Sequence, residues 1–172
     1  NIKEQFTECY QRESDAIFRF CLIRTSDREK ALDLTADTFM RFWDALSKRE
    51  NEEIEHHRAF LFKIARNLII DWYRKKKSLS LDAIVDDEEH QGEAILIDKL
   101  TLDQEKLGEG RFVLEKIKEL DPVYQQVVYM RFVEDMKPQE IAEILGDSVN
   151  AVSVRIHRGM EQLREITGYE SK

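Results

Sequence analysis

Apolar and polar positions separate most clearly from Phe60 to Lys77, FLFKIARNLIIDWYRKKK. Phe60, Leu61, Ile64, Ala65, Leu68, Ile69 and Trp72 recur at the spacing of one helix face. The other face carries Lys63, Arg66, Asn67, Tyr73 and Arg74, and the stretch closes on Lys75, Lys76 and Lys77. A buried stripe backed by cations, an amide and ring edges suits a helix pressed against nucleic acid. An ordinary amphipathic helix whose terminal cations complement its macrodipole has the same pattern. By itself the stretch leaves both open.

The helical period extends over most of the chain. Phe6, Cys9, Tyr10, Ile17, Phe18 and Leu22 predict one or two amphipathic helices within residues 3–24. The next segment, TSDREKALDLTADTFMRFWDAL, predicts a helix capped by Ser26 or Asp27. Its core face is Ala31, Leu34, Thr38, Phe39, Phe42 and Leu46, with the Thr38 methyl in place of a fully apolar side chain. Asp33, Asp37, Arg41 and Asp44 form a charged stripe beside it. That stripe is either solvated pairing along the helix or a docking face for a basic or mixed-charge partner helix. Residues 47–58 are polar and aperiodic, hence a loop; Lys48, Arg49 and Arg58 offset its four acidic residues.

Residues 78–110 are acidic and weakly periodic, and they close on Gly108 and Gly110. They predict a linker with a short helix near 95–106. The run Asp86 to Glu89 is a candidate metal cluster, but adjacent carboxylates without an ordered turn do not converge, so a solvated acidic tether is expected. Beyond it, Phe112, Leu114, Ile117 and Leu120 predict a helix stopped by Asp121-Pro122. Pro122 then opens a second, with Val123, Val127, Val128, Met130 and Val133 as its apolar set.

The end of the chain, PQEIAEILGDSVNAVSVRIHRGMEQL, fits a helix-turn-helix. Ala142 is small where two helices cross, and Gly146 permits the left-handed turn between them. Ile141, Leu145, Val149, Val152 and Ile156 are expected to fill the core between the pair. Ser148 or Asp147 caps the second helix, whose N-terminal part would enter a major groove. Its outward residues would be Asn150, Ala151, Ser153, Val154, Arg155, His157 and Arg158. Any short-turn helical hairpin shares some of this, but Ala, Gly and Val are jointly in the places such a DNA reader needs.

Composition refines the picture. The 172 residues, 42% hydrophobic, suffice for one medium domain or two small ones. With 2 Pro, 6 Gly and no period-2 apolar run, the expected class is all-α. A net charge of −8 opposes nucleic-acid binding until it is divided along the chain. Residues 1–77 hold 16 Lys+Arg against 14 Asp+Glu, residues 78–110 hold 2 against 10, and residues 111–172 hold 9 against 11. The middle segment alone carries −8, so the overall charge misleads. Cys9 and Cys21 sit among apolar neighbours and are expected as buried thiols of a cytoplasmic protein. A zinc site joining them to His56 and His57 lacks paired ligand spacing. No long apolar run predicts a membrane span, and no charged-then-apolar leader predicts export. No metal and no cofactor is expected.

Two helical modules with nucleic-acid faces, joined by an acidic tether, imply bipartite DNA recognition. Three ordered blocks, DREKALDLTADTFMRFWDAL, AFLFKIARNLIIDWYRKKK and LDPVYQQVVYMRFVEDMKPQEIAEILGDSVNAVSVRIHRGMEQLRE, resemble a bacterial extracytoplasmic-function (ECF, group IV) sigma factor of the sigma-70 family. The resemblance covers about residues 5–77 and 111–166. It implies an all-α chain of two small helical domains: sigma region 2 at 1–77 and the region 4 helix-turn-helix at 111–172, joined by the acidic linker at 78–110.

It also implies a role without enzymatic activity, in which the chain binds core RNA polymerase and directs it to promoter DNA. Asp33, Leu34, Asp37, Thr38, Phe39, Arg41 and Trp43 match the segment that binds the β′ clamp helices, and region 4 implies a contact with the β flap. The loop at 47–58 and the helix at 60–77 match the part that opens and reads the minus-ten element, with Lys63, Arg66, Asn67, Tyr73, Arg74, Lys75 and Lys76 as DNA-binding positions. Asn67 matches a base-recognising position, where an amide both donates and accepts. Tyr73 and Trp72 would stack on separated bases, although Trp72 also continues the apolar stripe. For the minus-thirty-five element the matching residues are Arg131, Asn150, Ser153, Arg155, His157 and Arg158.

The family usually has Gly-Thr-Val followed by Lys or Arg and then Ser, where this chain has Asn150-Ala151-Val152-Ser153-Val154. A cation is thus missing at 153 and a hydroxyl at 154. Each is expected to weaken binding by roughly 1–3 kcal/mol or to shift the preferred sequence. An anti-sigma factor is the implied regulator, with no direct membrane insertion of this chain. The acidic linker either spans the modules or mimics nucleic acid in the polymerase. Two other classes compete: a stand-alone helix-turn-helix regulator, which needs a dimerisation face and a strongly basic recognition helix, and a metal-dependent nuclease, which needs convergent ligands.

Overall fold

A computed structural model describes residues 1–48, 54–79 and 112–168, and every described element is a helix. Residues 80–110 of the expected linker, with its expected short helix and the acidic run at 86–89, and residues 49–53 of the loop expected at 47–58 lie outside the described residues, while residues 78 and 79 are the end of a helix. The chain divides into two compact units, Asn1–Asp87 and Glu88–Lys172.

The first unit packs three helices on one another, α1 (Ile2–Thr25), α2 (Arg28–Lys48) and α3 (His57–Leu79). The first stretch forms a single helix of 24 residues. Asn1 caps it, its side chain accepting from the Lys3 N–H at 3.1 Å. Ser26 ends it in the left-handed region at φ 52°, a position usually given to glycine. Asp27 is the cap of α2: its Oδ1 accepts from the Lys30 N–H at 3.0 Å.

The core face predicted for α2 is the one it buries. On α1 the buried residues are Cys9, Ala16, Ile17, Phe20, Cys21 and Ile23, whereas Phe18 and Leu22 are only half-buried. On α3 the buried stripe is Ala59, Leu61, Phe62, Ala65, Leu68 and Ile69. The expected Phe60, Ile64 and Trp72 lie at its half-exposed borders. Phe62 is the residue the sequence pattern misplaces. Its ring meets Phe20 edge-on with centroids 5.1 Å apart, close enough to add about 0.5–1.5 kcal/mol beyond burial.

Two buried polar groups fix the register of these helices. Glu13 of α1 accepts from Arg12 at 2.8 Å and from Arg58 of α3 at 3.1 Å. Arg58, expected in a loop, is therefore helical and tied to the first helix. Arg24 is almost wholly buried, its guanidinium 3.6 Å above the Phe20 ring centroid. Cys9 and Cys21 are free thiols. Burial pushes Cys21 up to about 12 and raises Cys9 as well, so neither is a reactive thiolate.

The second unit contains a helix at 112–118 (α4), α5 (Pro122–Phe132), α6 (Pro138–Leu145) and α7 (Val149–Thr167). Leu114, Ile117 and Leu120 of the first segment are buried as expected. In α5, Val127, Val128 and Met130 are buried, while Val123 is at the surface. Tyr129 is fully buried as well, its hydroxyl donating to the buried Glu134 carboxylate at 2.6 Å. Gln125 is buried too, and its amide donates to the Leu120 carbonyl at 2.8 Å, closing the turn around Pro122.

Between α6 and α7, Gly146 takes φ 72° and the N–H groups of Gly146 and Asp147 both donate to the Ala142 carbonyl. Ser148 caps α7, its Oγ accepting from the Ala151 N–H at 3.1 Å. Ile141, Ala142 and Val152 are buried as predicted. Leu145 and Ile156 are half-buried, Val149 is exposed, and Ile144 joins the core in its stead.

Gly159 went unnoticed in the sequence. It is a buried helical glycine where α7 meets α5. A Cβ there would stand 2.6 Å from Val128 Cγ2 and 3.1 Å from Tyr124 Cβ. Alanine would gain about 1 kcal/mol of helix propensity, but overpacking costs about 1–3 kcal/mol. The clash wins, because Val128 is fully buried and Tyr124 Cβ is fixed to its backbone. Gly159→Ala is expected to lower the melting temperature of the second unit by several degrees in calorimetry, at about 4–8 °C per kcal/mol for a domain this small. An unchanged transition would mean that the two helices part without cost.

Candidate docking and DNA-facing helix surfaces

Burying Leu34, Phe39, Phe42 and Leu46 turns the opposite side of α2 outward. Asp33, Asp37, Arg41 and Asp44 are all exposed along it. Leu32 and Met40, the latter 66% exposed, lie on the same side, and Trp43 is 40% exposed with its ring edge-on to Phe6 at 5.2 Å. The face is thus apolar groups set among charges, and the sequence pattern supplied only the charges. Leu32, Ala36 and Met40 do recur at four-residue spacing, a signal hidden by the stronger stripe on the other side.

Three of the residues matched to polymerase contact need correction. Leu34, Thr38 and Phe39 are buried, and the Thr38 hydroxyl donates to the Leu34 carbonyl at 2.7 Å. They support the face from behind and do not form it.

On α3, Lys63, Asn67, Arg74, Lys75 and Lys76 are exposed and Arg66 is half-buried. Lys63, Asn67 and Arg74 follow one another at spacings of four and seven residues, so they share one side of the helix. Tyr73 departs from its expected stacking role. It is half-buried, and its hydroxyl donates to the Arg24 carbonyl, joining the basic end of α3 to the end of α1. Trp72 is half-exposed rather than core, with the Lys76 Nζ 5.1 Å from its ring centroid.

On α7, Asn150, Ser153, Val154, His157 and Arg158 are exposed in one stripe, and Ala151 is half-buried. Two arginines and one histidine matched to DNA contact have partners within the chain. Arg155 Nη1 lies 2.7 Å from Asp147 Oδ2. Arg131 Nη1 donates to the Met136 carbonyl at 3.2 Å and lies 3.5 Å from Asp135. His157 Nε2 lies 3.3 Å from Glu161. The Arg155–Asp147 pair is the tightest and part-buried, so Arg155 holds the turn before α7 rather than projecting from the stripe.

Among the described residues no group of three His, Cys, Asp or Glu could hold a metal ion, and no helix is long and apolar enough to cross a membrane.

The described residues thus form two small helical units, one ending in a basic helix and one in a helix-turn-helix. The family model for sigma-70 region 2 matches residues 9–79, and that for sigma-70 region 4 matches residues 113–163. The chain is 25% identical over 162 residues to the RNA polymerase sigma factor SigV of Bacillus subtilis, covering 94% of this chain and 90% of that protein. It is 28% identical over 174 residues to the ECF sigma factor SigW of the same organism, covering 95% and 89%. In fold it is similar to the sigma factor RpoE of Bartonella quintana, solved with the anti-sigma factor NepR, with a TM-score of 0.68 at 20% identity over 98% of this chain and 99% of that one. CnrH, solved with the cytosolic domain of CnrY, gives 0.65 at 23% identity over 98% and 91%.

The chain belongs to the sigma-70 family, in its ECF branch. It is a promoter-specific transcription initiation factor and not a stand-alone helix-turn-helix regulator. Sigma factors are non-catalytic initiation factors.

Tyr73→Phe separates anchoring from stacking. Loss of the hydrogen bond to Arg24 is expected to cost roughly 0.5–1.5 kcal/mol and to speed hydrogen exchange through the last turns of α3. A residue that only stacked on bases would leave both stability and exchange unchanged.

Proposed function

We propose that residues 1–77 dock on core polymerase through α2 and handle the minus-ten element through α3, and that residues 111–172 read the minus-thirty-five element through α7, with residues 78–110 as the tether. The observation that carries the docking role is the outward side of α2, where Asp33, Asp37 and Arg41 are exposed beside Met40 and Trp43. Exposed apolar groups ringed by charge are the composition of a protein-binding face. The partner is the β′ clamp helices, with the β flap as the counterpart of region 4.

On α3, Asn67 takes the base-reading role, Lys63 and Arg66 flank it, and Arg74, Lys75 and Lys76 hold the phosphate backbone. On α7, Asn150, Ser153, His157 and Arg158 face the groove, and Arg155 and Arg131 hold the frame. An anti-sigma factor is the proposed regulator, since sigma factors of this fold have been solved with such partners. Work on chromosomal promoters implies a cytoplasmic location.

The test is reconstitution with core polymerase and a promoter library, with run-off transcripts sequenced. Promoter-dependent transcripts are expected only when the chain is present; their absence would sink the assignment. For docking, Asp37→Lys with Met40→Glu is expected to weaken co-elution with β′ by roughly tenfold or more, the equivalent of about 1.4 kcal/mol. Undiminished co-elution of a folded double variant would remove α2 from the interface.

A further inference from the structure

Val154 is 40% exposed, with Asn150 one turn before it and His157 and Arg158 one turn after, all on the outward side of α7. It occupies the middle of that stripe. A single apolar residue at a surface is ordinary, but here every exposed neighbour in the stripe is polar. Valine is also a poorer helix former than the straight-chain polar residues. Helix stability therefore does not favour it at this position, and the helix buries Val152 and not Val154.

A valine can neither donate nor accept a hydrogen bond. Among the base edges displayed in a major groove, it is matched only by the C5-methyl of thymine. The nearest cation in sequence, Arg155, does not compete for the same base, because Asp147 holds its guanidinium at 2.7 Å. We infer that Val154 is a specificity-determining residue that selects a thymine in the duplex promoter element by contact with its methyl group. This rests on the groove-facing role proposed for α7. It makes the absent hydroxyl at 154 a change of sequence preference rather than a mere loss of affinity. Cytosine at the same place lacks the methyl and forfeits this contact.

The methyl is removable without disturbing pairing, because deoxyuridine differs from thymidine only there. Full-length chain reconstituted with core polymerase would first be used to select promoters from a library randomised upstream. Each thymine of the upstream element would then be replaced by deoxyuridine in turn. At one position the replacement is expected to lower initiation about three- to fourfold, the size of one methyl group's burial. Val154→Ala is expected to abolish that difference at that position alone, and Val154→Ile to keep it. No thymine with a methyl effect, or a Val154→Ala variant that keeps the full effect, would overturn the inference while leaving α7 in the groove. Scrambling the whole upstream element without loss of initiation would overturn both the inference and the groove-facing role on which it rests.

Discussion

Three aromatic rings settle which way the first unit faces. Phe20, Phe42 and Phe62 are fully buried, one from each helix. Each helix has a single rotation that puts its ring inside, and the outward side chains follow from that choice. With Phe42 inward, Asp37, Met40 and Arg41 point to solvent together. With Phe62 inward, Lys63 and Asn67 do the same on α3. The outward faces are the complement of the core, and moving a ring by one position would turn the face of the helix that carries it.

Apolar packing alone leaves helices able to slide, and the buried polar groups remove that freedom. Glu13 joins α1 to the start of α3 through Arg58, and Tyr73 joins the end of α3 to the end of α1 through the Arg24 carbonyl. A buried carboxylate without its cation is costly, so the register in which Glu13 and Arg58 meet is strongly preferred over its neighbours. The two ties sit near opposite ends of α3, with the exposed Asn67 between them. In the second unit the same division holds: Gly159 permits α5 and α7 to approach, while Asp147 and Arg155 hold the turn that presents α7.

Much of this was legible in the sequence, because helical periodicity reports burial directly. The core face of α2, the left-handed Gly146 and the cap at Ser148 follow from residue type and spacing. What was not legible depends on distant partners. Nothing local marks Tyr73 as a donor to a carbonyl 49 residues away, or Gly159 as the point where another helix crosses. Similarity of residues to a family's contact segment placed Leu34, Thr38 and Phe39 at an interface, but a motif mixes contact residues with those that hold the contacts in place. Burial separates the two. Val149 failed for a related reason: it is the first residue of α7 and stays exposed, while Ile144 is buried.

Charge distribution then explains why such a chain needs two modules. The first unit's segment is close to neutral, the second carries slightly more acid than base, and the linker holds the excess. On α7 the pairing of Arg155 with Asp147 reduces the outward field further. Phosphate attraction supplies most non-specific affinity for DNA, so an isolated second unit would hold duplex weakly at any sequence. Weak general attraction is an advantage when selection is by base edges, because the difference between right and wrong sites is not swamped by binding everywhere. In the arrangement proposed above, polymerase and tether would present both modules to one promoter, and the second contact would form at high effective concentration. On that proposal a chain of this composition would select its sites when assembled, as an initiation factor does.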